Sequence, residues 1–125
     1  MKIMYLCITN SYNGKKGFDR KNVYDCTRKY WDIKDLPKAE EAEYIVGVAN
    51  KKIEGIYKNI SGWKLVKDMP ELINDNEVKN YPKHLSNYAF SGEEETSENV
   101  KIEIEKDYIE HPFQFNQTHR IHYNF

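Results

Sequence analysis

A chain of 125 residues with 19 basic and 20 acidic side chains is long enough for one domain with a buried core and too short for a second. Its near-neutral balance excludes the global attraction to nucleic-acid backbones or anionic membranes that a basic protein has. No apolar run reaches membrane-spanning length, and residues 1–9 lack the three-part pattern of a secretory signal, so the reading is a cytoplasmic protein.

Residues 2–9 place Ile3, Tyr5 and Cys7 on one face and Met4, Leu6 and Ile8 on the other, which predicts a central strand covered on both sides. Residues 10–17 read as a loop, with Asn13-Gly14 as a turn signal. A helix begins near Asn22, whose side chain can cap it while Asp25 occupies the acidic position of a capping box. Val23, Cys26 or Thr27, and Tyr30 would be its buried stripe, and Leu36-Pro37 breaks any continuation. Cys7 and Cys26 lack Cys-x-x-Cys spacing and suit free thiols in a reducing compartment.

Residues 43–50 and 53–60 are strand runs joined at Asn50-Lys51-Lys52, a β-hairpin in which Asn tolerates positive φ. Tyr44 to Gly47 and Gly55-Ile56-Tyr57 superficially echo a GIY-YIG nuclease, but the two pieces come in the wrong order. Residues 63–66 make a short strand and residues 69–79 a short helix or excursion loop, with Pro70 near a first helical turn. Residues 86–91 form a strand ended by Gly92, and residues 93–99 an acidic, solvated loop. The alternation of Val100, Ile102 and Ile104 with Lys101, Glu103 and Glu105 predicts a strand with one wet face, whose edge is open to pairing with a second copy. Residues 119–125 alternate again, with Ile121, Tyr123 and Phe125 on one face, and a terminal strand of this kind should dock into a sheet. Together these elements predict an α+β fold: a small, partly closed mixed β-barrel with one main helix and one or two short helices over residues 1–125.

Several short motifs then occur in a telling order: Thr9-Asn10-Ser11-Tyr12 after the first strand, Tyr24-x-x-Thr27-Arg28-x-x-Trp31-x-Ile33 on the helix, and the hairpin from Tyr44 to Tyr57. Trp63, Tyr88-x-Phe90-x-Gly92 and the closing Arg120-Ile121-x-Tyr123-Asn124 complete the set. In this arrangement the chain resembles a family of small bacterial and phage domains with PUA-like, EVE-related architecture. The resemblance implies a curved barrel whose mouth, near the first strand and helix, accepts a flipped base or nucleotide between aromatic groups, by binding and not by catalysis.

The residues themselves point to a ligand site. Arg28 and Trp31 lie three apart, so on a helix they share a face and present a guanidinium beside an indole. Asn10 and Ser11 follow a buried strand and place an amide and a hydroxyl where they can read the edge of a base. Tyr30, Trp31, Trp63 and Tyr88 are candidate stacking platforms, and Arg28, Lys64, His119 and Arg120 are candidate cations for a phosphate. The expected ligand is a nucleotide or modified nucleobase, with weak or no duplex DNA binding, no membrane contact and no cofactor. For a chain with no attached effector domain, sequestration of a nucleotide signal by a phage or mobile-element anti-defence protein is an attractive use.

Rival readings rest on other residues. A protein-binding inhibitor would use the acidic stretch from Glu93 to Glu98. An RNA- or nucleotide-processing enzyme would use His119 and His122, though three-apart residues on a strand face opposite ways and cannot share one metal ion without a bend. Cys7 in an apolar strand is an inert thiol, Ser11 has no local catalytic partner, and no glycine-rich phosphate loop occurs.

Overall fold

A computed structural model describes residues 1–125. The first strand, β1 (Ile3–Cys7), has apolar side chains on both faces and is interior, as that pattern demands. It runs parallel to β2 (Tyr44–Ala49) on one side. On the other it is antiparallel to β5 (Ile121–Tyr123), with Met4 opposite Tyr123 and Leu6 opposite Ile121.

The hairpin forms as its turn residues dictate. Asn50 and Lys51 both have positive φ, 52° and 66°, the two-residue turn whose twist matches the strands it joins. The following strand, β3 (Lys52–Leu65), does not stop at residue 60. The expected separate strand at Trp63 is its second half, set off by an irregularity where the register against β4 (Tyr88–Glu94) shifts between Asn59 and Trp63. There the Gly62 N–H donates to Asn59 Oδ1 at 3.0 Å. Gly92 likewise lies within β4 and does not end it, because a Cβ at that position would strike the Lys58 carbonyl of β3.

The strands form one mixed sheet in the order β4–β3–β2–β1–β5. The sheet is not closed: β4 and β5 are its two ends, so no strand pairing makes the expected barrel. The architecture is an α+β sheet with short helices packed on it, and there are more of them than the single main helix and one or two others read from the sequence. They are α1 (Thr9–Tyr12), α2 (Val23–Arg28), α3 (Leu36–Glu41), α4 (Pro70–Ile73), α5 (Asn76–Asn80) and α6 (Glu98–Glu110). No helix is long and apolar enough to cross a membrane.

The start of α2 is as read: Asn22 Oδ1 accepts the Asp25 N–H at 2.9 Å, and Cys26 and Thr27 are buried. Its end is not. Lys29 is already extended, so the helix stops before Tyr30 and Trp31. Leu36-Pro37 does more than break the chain, since it opens α3 with Asp35 accepting the Lys38 N–H and proline in the first turn. Part of the expected loop at residues 10–17 is α1. Beyond it, Gly14 has φ 68°, and the Asn13 and Asn50 side-chain amides exchange two hydrogen bonds of 3.2 and 3.1 Å, tying this segment to the β2–β3 turn.

The stretch from residue 100 to 105 is a correction. It belongs to α6, the longest helix, and not to a strand with a free edge for dimerisation. Its buried stripe is Val100, Ile104 and Tyr108 at helical spacing, while Ile102 is 59% exposed. The apparent alternation came from Ile102, which faces water. Nor are residues 93–99 simply a solvated loop. Glu93 and Glu94 belong to β4, and Glu95 is 4% exposed, its carboxylate accepting the Ser97 N–H at 2.9 Å at the entry to α6.

Burial divides the interior into three. On one face of the sheet Met4, Leu6 and Ile45 pack with Cys26, Trp31 and Ile33. On the other, Ile3, Tyr5 and Val46 pack beneath Ile104 of α6. A satellite core of Tyr30, Val66, Met69, Leu72, Val78 and Ala89 lies under the 66–86 excursion. Cys7 and Cys26 are both free thiols.

Candidate functional site

Connectivity creates an opening at the carboxyl end of β1. The chain leaves β1 toward the face carrying α2 and α3, whereas β5, paired beside β1, is reached from α6 on the opposite face. The segment after β1 and the strap leading into the antiparallel β5 leave a crevice between them. Here it is a cavity of about 590 Å³.

Asn10, Ser11, Trp31, His119 and Arg120, expected as ligand-binding residues from the sequence, all line this cavity. Asn10 and Ser11 lie in α1, immediately beyond β1. Ser11 Oγ donates to the Ile8 carbonyl at 3.2 Å, leaving its oxygen to accept, while the Asn10 amide makes no hydrogen bond within the chain. Arg120 enters from the strap before β5, and its Nη2 donates to the Cys7 carbonyl at 3.2 Å. His119 sits beside it, exposed, with Nδ1 near Asn116 Oδ1 and Thr118 Oγ1.

Trp31 is 9% exposed, and its Nε1 donates to the Thr27 carbonyl at 2.7 Å, satisfying one of the carbonyls left open at the end of α2. Its backbone exchanges hydrogen bonds with Tyr88, bridging to the β4 edge. It therefore offers the cavity only part of its indole.

Arg28, Trp63 and Tyr88 do not line the cavity. Because α2 ends at Arg28, the three-apart geometry that would align Arg28 with Trp31 does not exist. Arg28 instead reaches β4, donating from Nε to the Phe90 carbonyl at 3.0 Å, and approaches Glu71 at 3.6 Å. Trp63 is a core residue, 4% exposed and edge-on to Phe90 at 5.0 Å. Tyr88 packs against the same core. The two histidines of the enzyme reading do not meet either. His119 faces the cavity, whereas His122 stacks on Phe113 at 3.8 Å beside Tyr5 on the other side of the sheet. Burial holds the His122 pKa below the ordinary histidine value, against the opposing pull of Asp107.

Sequence reasoning missed the charged wall on the far side. Glu77, 1% exposed, receives Arg20 Nε at 2.5 Å and Nη2 at 2.8 Å, while Arg20 Nη1 donates to the Lys29 carbonyl. Lys29 Nζ lies 3.4 Å from Asp75, which also accepts the Tyr30 hydroxyl at 2.5 Å. The Tyr30 ring stacks on His84 at 4.6 Å. Burial alone would raise the Asp75 pKa, but the Tyr30 hydrogen bond and the Lys29 ammonium outweigh it and hold the carboxyl below its usual range. Burial, then the Asp75 carboxylate, push the Tyr30 phenol well up. His84 is held low, chiefly by burial, with Glu77 partly offsetting. These partners lie 45 to 57 residues apart in sequence, and no local pattern announces them.

Comparison of the chain with protein-family models, with curated proteins and with solved structures gives no match. The site is therefore read from its own chemistry.

Proposed function

We propose that the protein is a PUA-like, non-enzymatic binding domain whose cavity holds a nucleotide or modified nucleobase, a chemistry suited to sequestering such a molecule. The observation that carries this reading is the convergence, in one cavity, of aromatic walls (Phe18, Tyr30, Trp31), polar groups able to read a base edge (Asn10, Ser11), and the guanidinium of Arg120. Stacking of a base on an aromatic ring contributes about 1 to 3 kcal/mol, and an arginine fork adds a directional contact to phosphate. The volume lies within the range of small-molecule pockets.

Two measurements test the proposal. Mass spectrometry of the supernatant from denatured, freshly purified protein should reveal a co-purifying nucleotide-like compound. Calorimetric titration with nucleotides should give saturable binding that Asn10→Ala and Arg120→Ala both weaken while each variant still melts cooperatively. Binding that survives both substitutions would move the ligand away from this cavity.

A further inference from the structure

Beside His119, four lysine and arginine side chains line the cavity, and three are paired within the chain: Arg20 with Glu77 at 2.5 Å, Lys29 with Asp75 at 3.4 Å and Lys34 with Asp32 at 2.8 Å. Arg120 alone has no carboxylate within ion-pair distance; its guanidinium meets only the Cys7 carbonyl. Among the lining carboxylates Asp35 is the one without a cation, its Oδ1 accepting the Lys38 N–H at 3.2 Å. The wall thus presents one uncompensated positive charge and one uncompensated negative charge.

Building on the nucleotide reading above, we infer that the ligand carries a single negative charge, as a cyclic nucleotide phosphodiester does, and not a polyphosphate. One guanidinium matches one anionic group, through two parallel hydrogen bonds in its best geometry. A phosphomonoester already carries about −1.5 to −2 at neutral pH, and each further phosphate adds charge that must leave water. In this cavity that added charge finds Arg20 and Lys29 already committed to the inward-facing Glu77 and Asp75 and Lys34 paired with Asp32 at the exposed mouth, and Asp35 repels it. Stripping an anion of water without a counter-charge is strongly unfavourable. A nucleic-acid strand needs several cations along a groove, which this cavity does not supply.

The test is calorimetric titration of the intact protein, at roughly physiological salt, with the 3′,5′-cyclic monophosphate, 5′-monophosphate and 5′-triphosphate of adenosine, guanosine, cytidine and uridine. For the preferred base, the cyclic form should bind at least about tenfold more tightly than the triphosphate, and Arg120→Ala should erase that preference. If Arg120→Ala does not fold, the ratio measured on the unaltered protein decides alone. A monophosphate or triphosphate that binds as tightly as the cyclic form overturns the single-charge inference and leaves the nucleotide reading standing. If no nucleotide of any base or charge state binds to the folded protein, both fall together.

Discussion

The two sides of the cavity use charge in opposite ways. On one side Arg20, Lys29, Asp75 and Glu77 are withdrawn from water and matched to one another, with the Tyr30 hydroxyl donating to Asp75 and the Asp19 N–H to Glu77. On the other, Arg120 stands at the start of β5 with no acid beside it. In a chain whose charges nearly cancel, composition therefore says little about what the protein attracts. The matched side holds the 66–86 excursion against the sheet, and the unmatched side leaves a guanidinium without a counter-charge.

The most severe way to break this contrast is to remove residues 121–125. That deletion takes away the antiparallel partner of β1 and the packing of Ile121, Tyr123 and Phe125 on the main core. Each large apolar side chain contributes about 1.5 to 3 kcal/mol, against a total stability of about 5 to 15. The truncated chain should show no cooperative melt by circular dichroism; a transition like that of the intact chain would mean β5 is dispensable.

Next comes the matched side. Glu77→Ala leaves Arg20 buried without its counter-charge and should cost about 3 to 5 kcal/mol in urea unfolding. A loss under about 1 kcal/mol would show that water reaches the cluster, and the distinction between the two sides would fail.

A smaller effect separates the two arginines. Arg28→Ala removes a hydrogen bond from a charged donor to the Phe90 carbonyl and should cost about 1.5 to 3 kcal/mol while leaving nucleotide binding unchanged. Arg120→Ala should do the reverse, costing about 1 kcal/mol of stability and most of the binding. Equal effects on binding from both would erase the difference drawn here.

The smallest change is with pH. His84, facing Glu77, Arg20, Lys83 and Asp75, and His122, facing Asp107 and Lys38, both have folded pKa values below the ordinary one. The unfolded chain then takes up protons that the fold refuses, so their stabilising contribution is complete above about pH 6.5 and is lost as pH falls through the folded values. The melting temperature should be level from neutral to mildly alkaline pH and decline on acidification. A His84→Phe/His122→Phe variant should flatten that decline; an unaltered slope would assign it to other groups.

How much of this was legible in the sequence depended on range. The two-faced pattern of β1, the Asn50-Lys51 turn and the Asn22 cap are local, and all three formed where the residues placed them. Asn10, Ser11, His119 and Arg120 come to line one cavity because they flank the end of β1 and the start of β5, which pair side by side. Arg28 failed for a local reason of another kind: no proline or glycine marks the end of α2, so the helix was carried on through Trp31. The 100–105 error arose because a single water-facing isoleucine, Ile102, made a helical stripe look like alternation. The Arg20–Glu77 cluster was invisible because burial of charge is a property of tertiary contact, which neither residue carries alone.

The reciprocal amide pair between Asn13 and Asn50 has a consequence for the chemical ageing of the protein. An asparagine followed by glycine is the sequence in which the next backbone nitrogen most readily attacks the side-chain amide, expelling ammonia and closing a succinimide that water then opens to aspartate or isoaspartate. In the fold that route is obstructed: the Asn13 amide is held by Asn50, and the Gly14 N–H donates to the Ser11 carbonyl. Deamidation must wait until the segment beyond α1 lifts away from the hairpin turn. Once it happens the tie is weakened, because the new carboxylate faces the Asn50 carbonyl oxygen where an amide donor used to be. The slow gain of negative charge at Asn13 in stored protein therefore acts as a clock for how often the segment beyond α1 lifts from the β2–β3 turn.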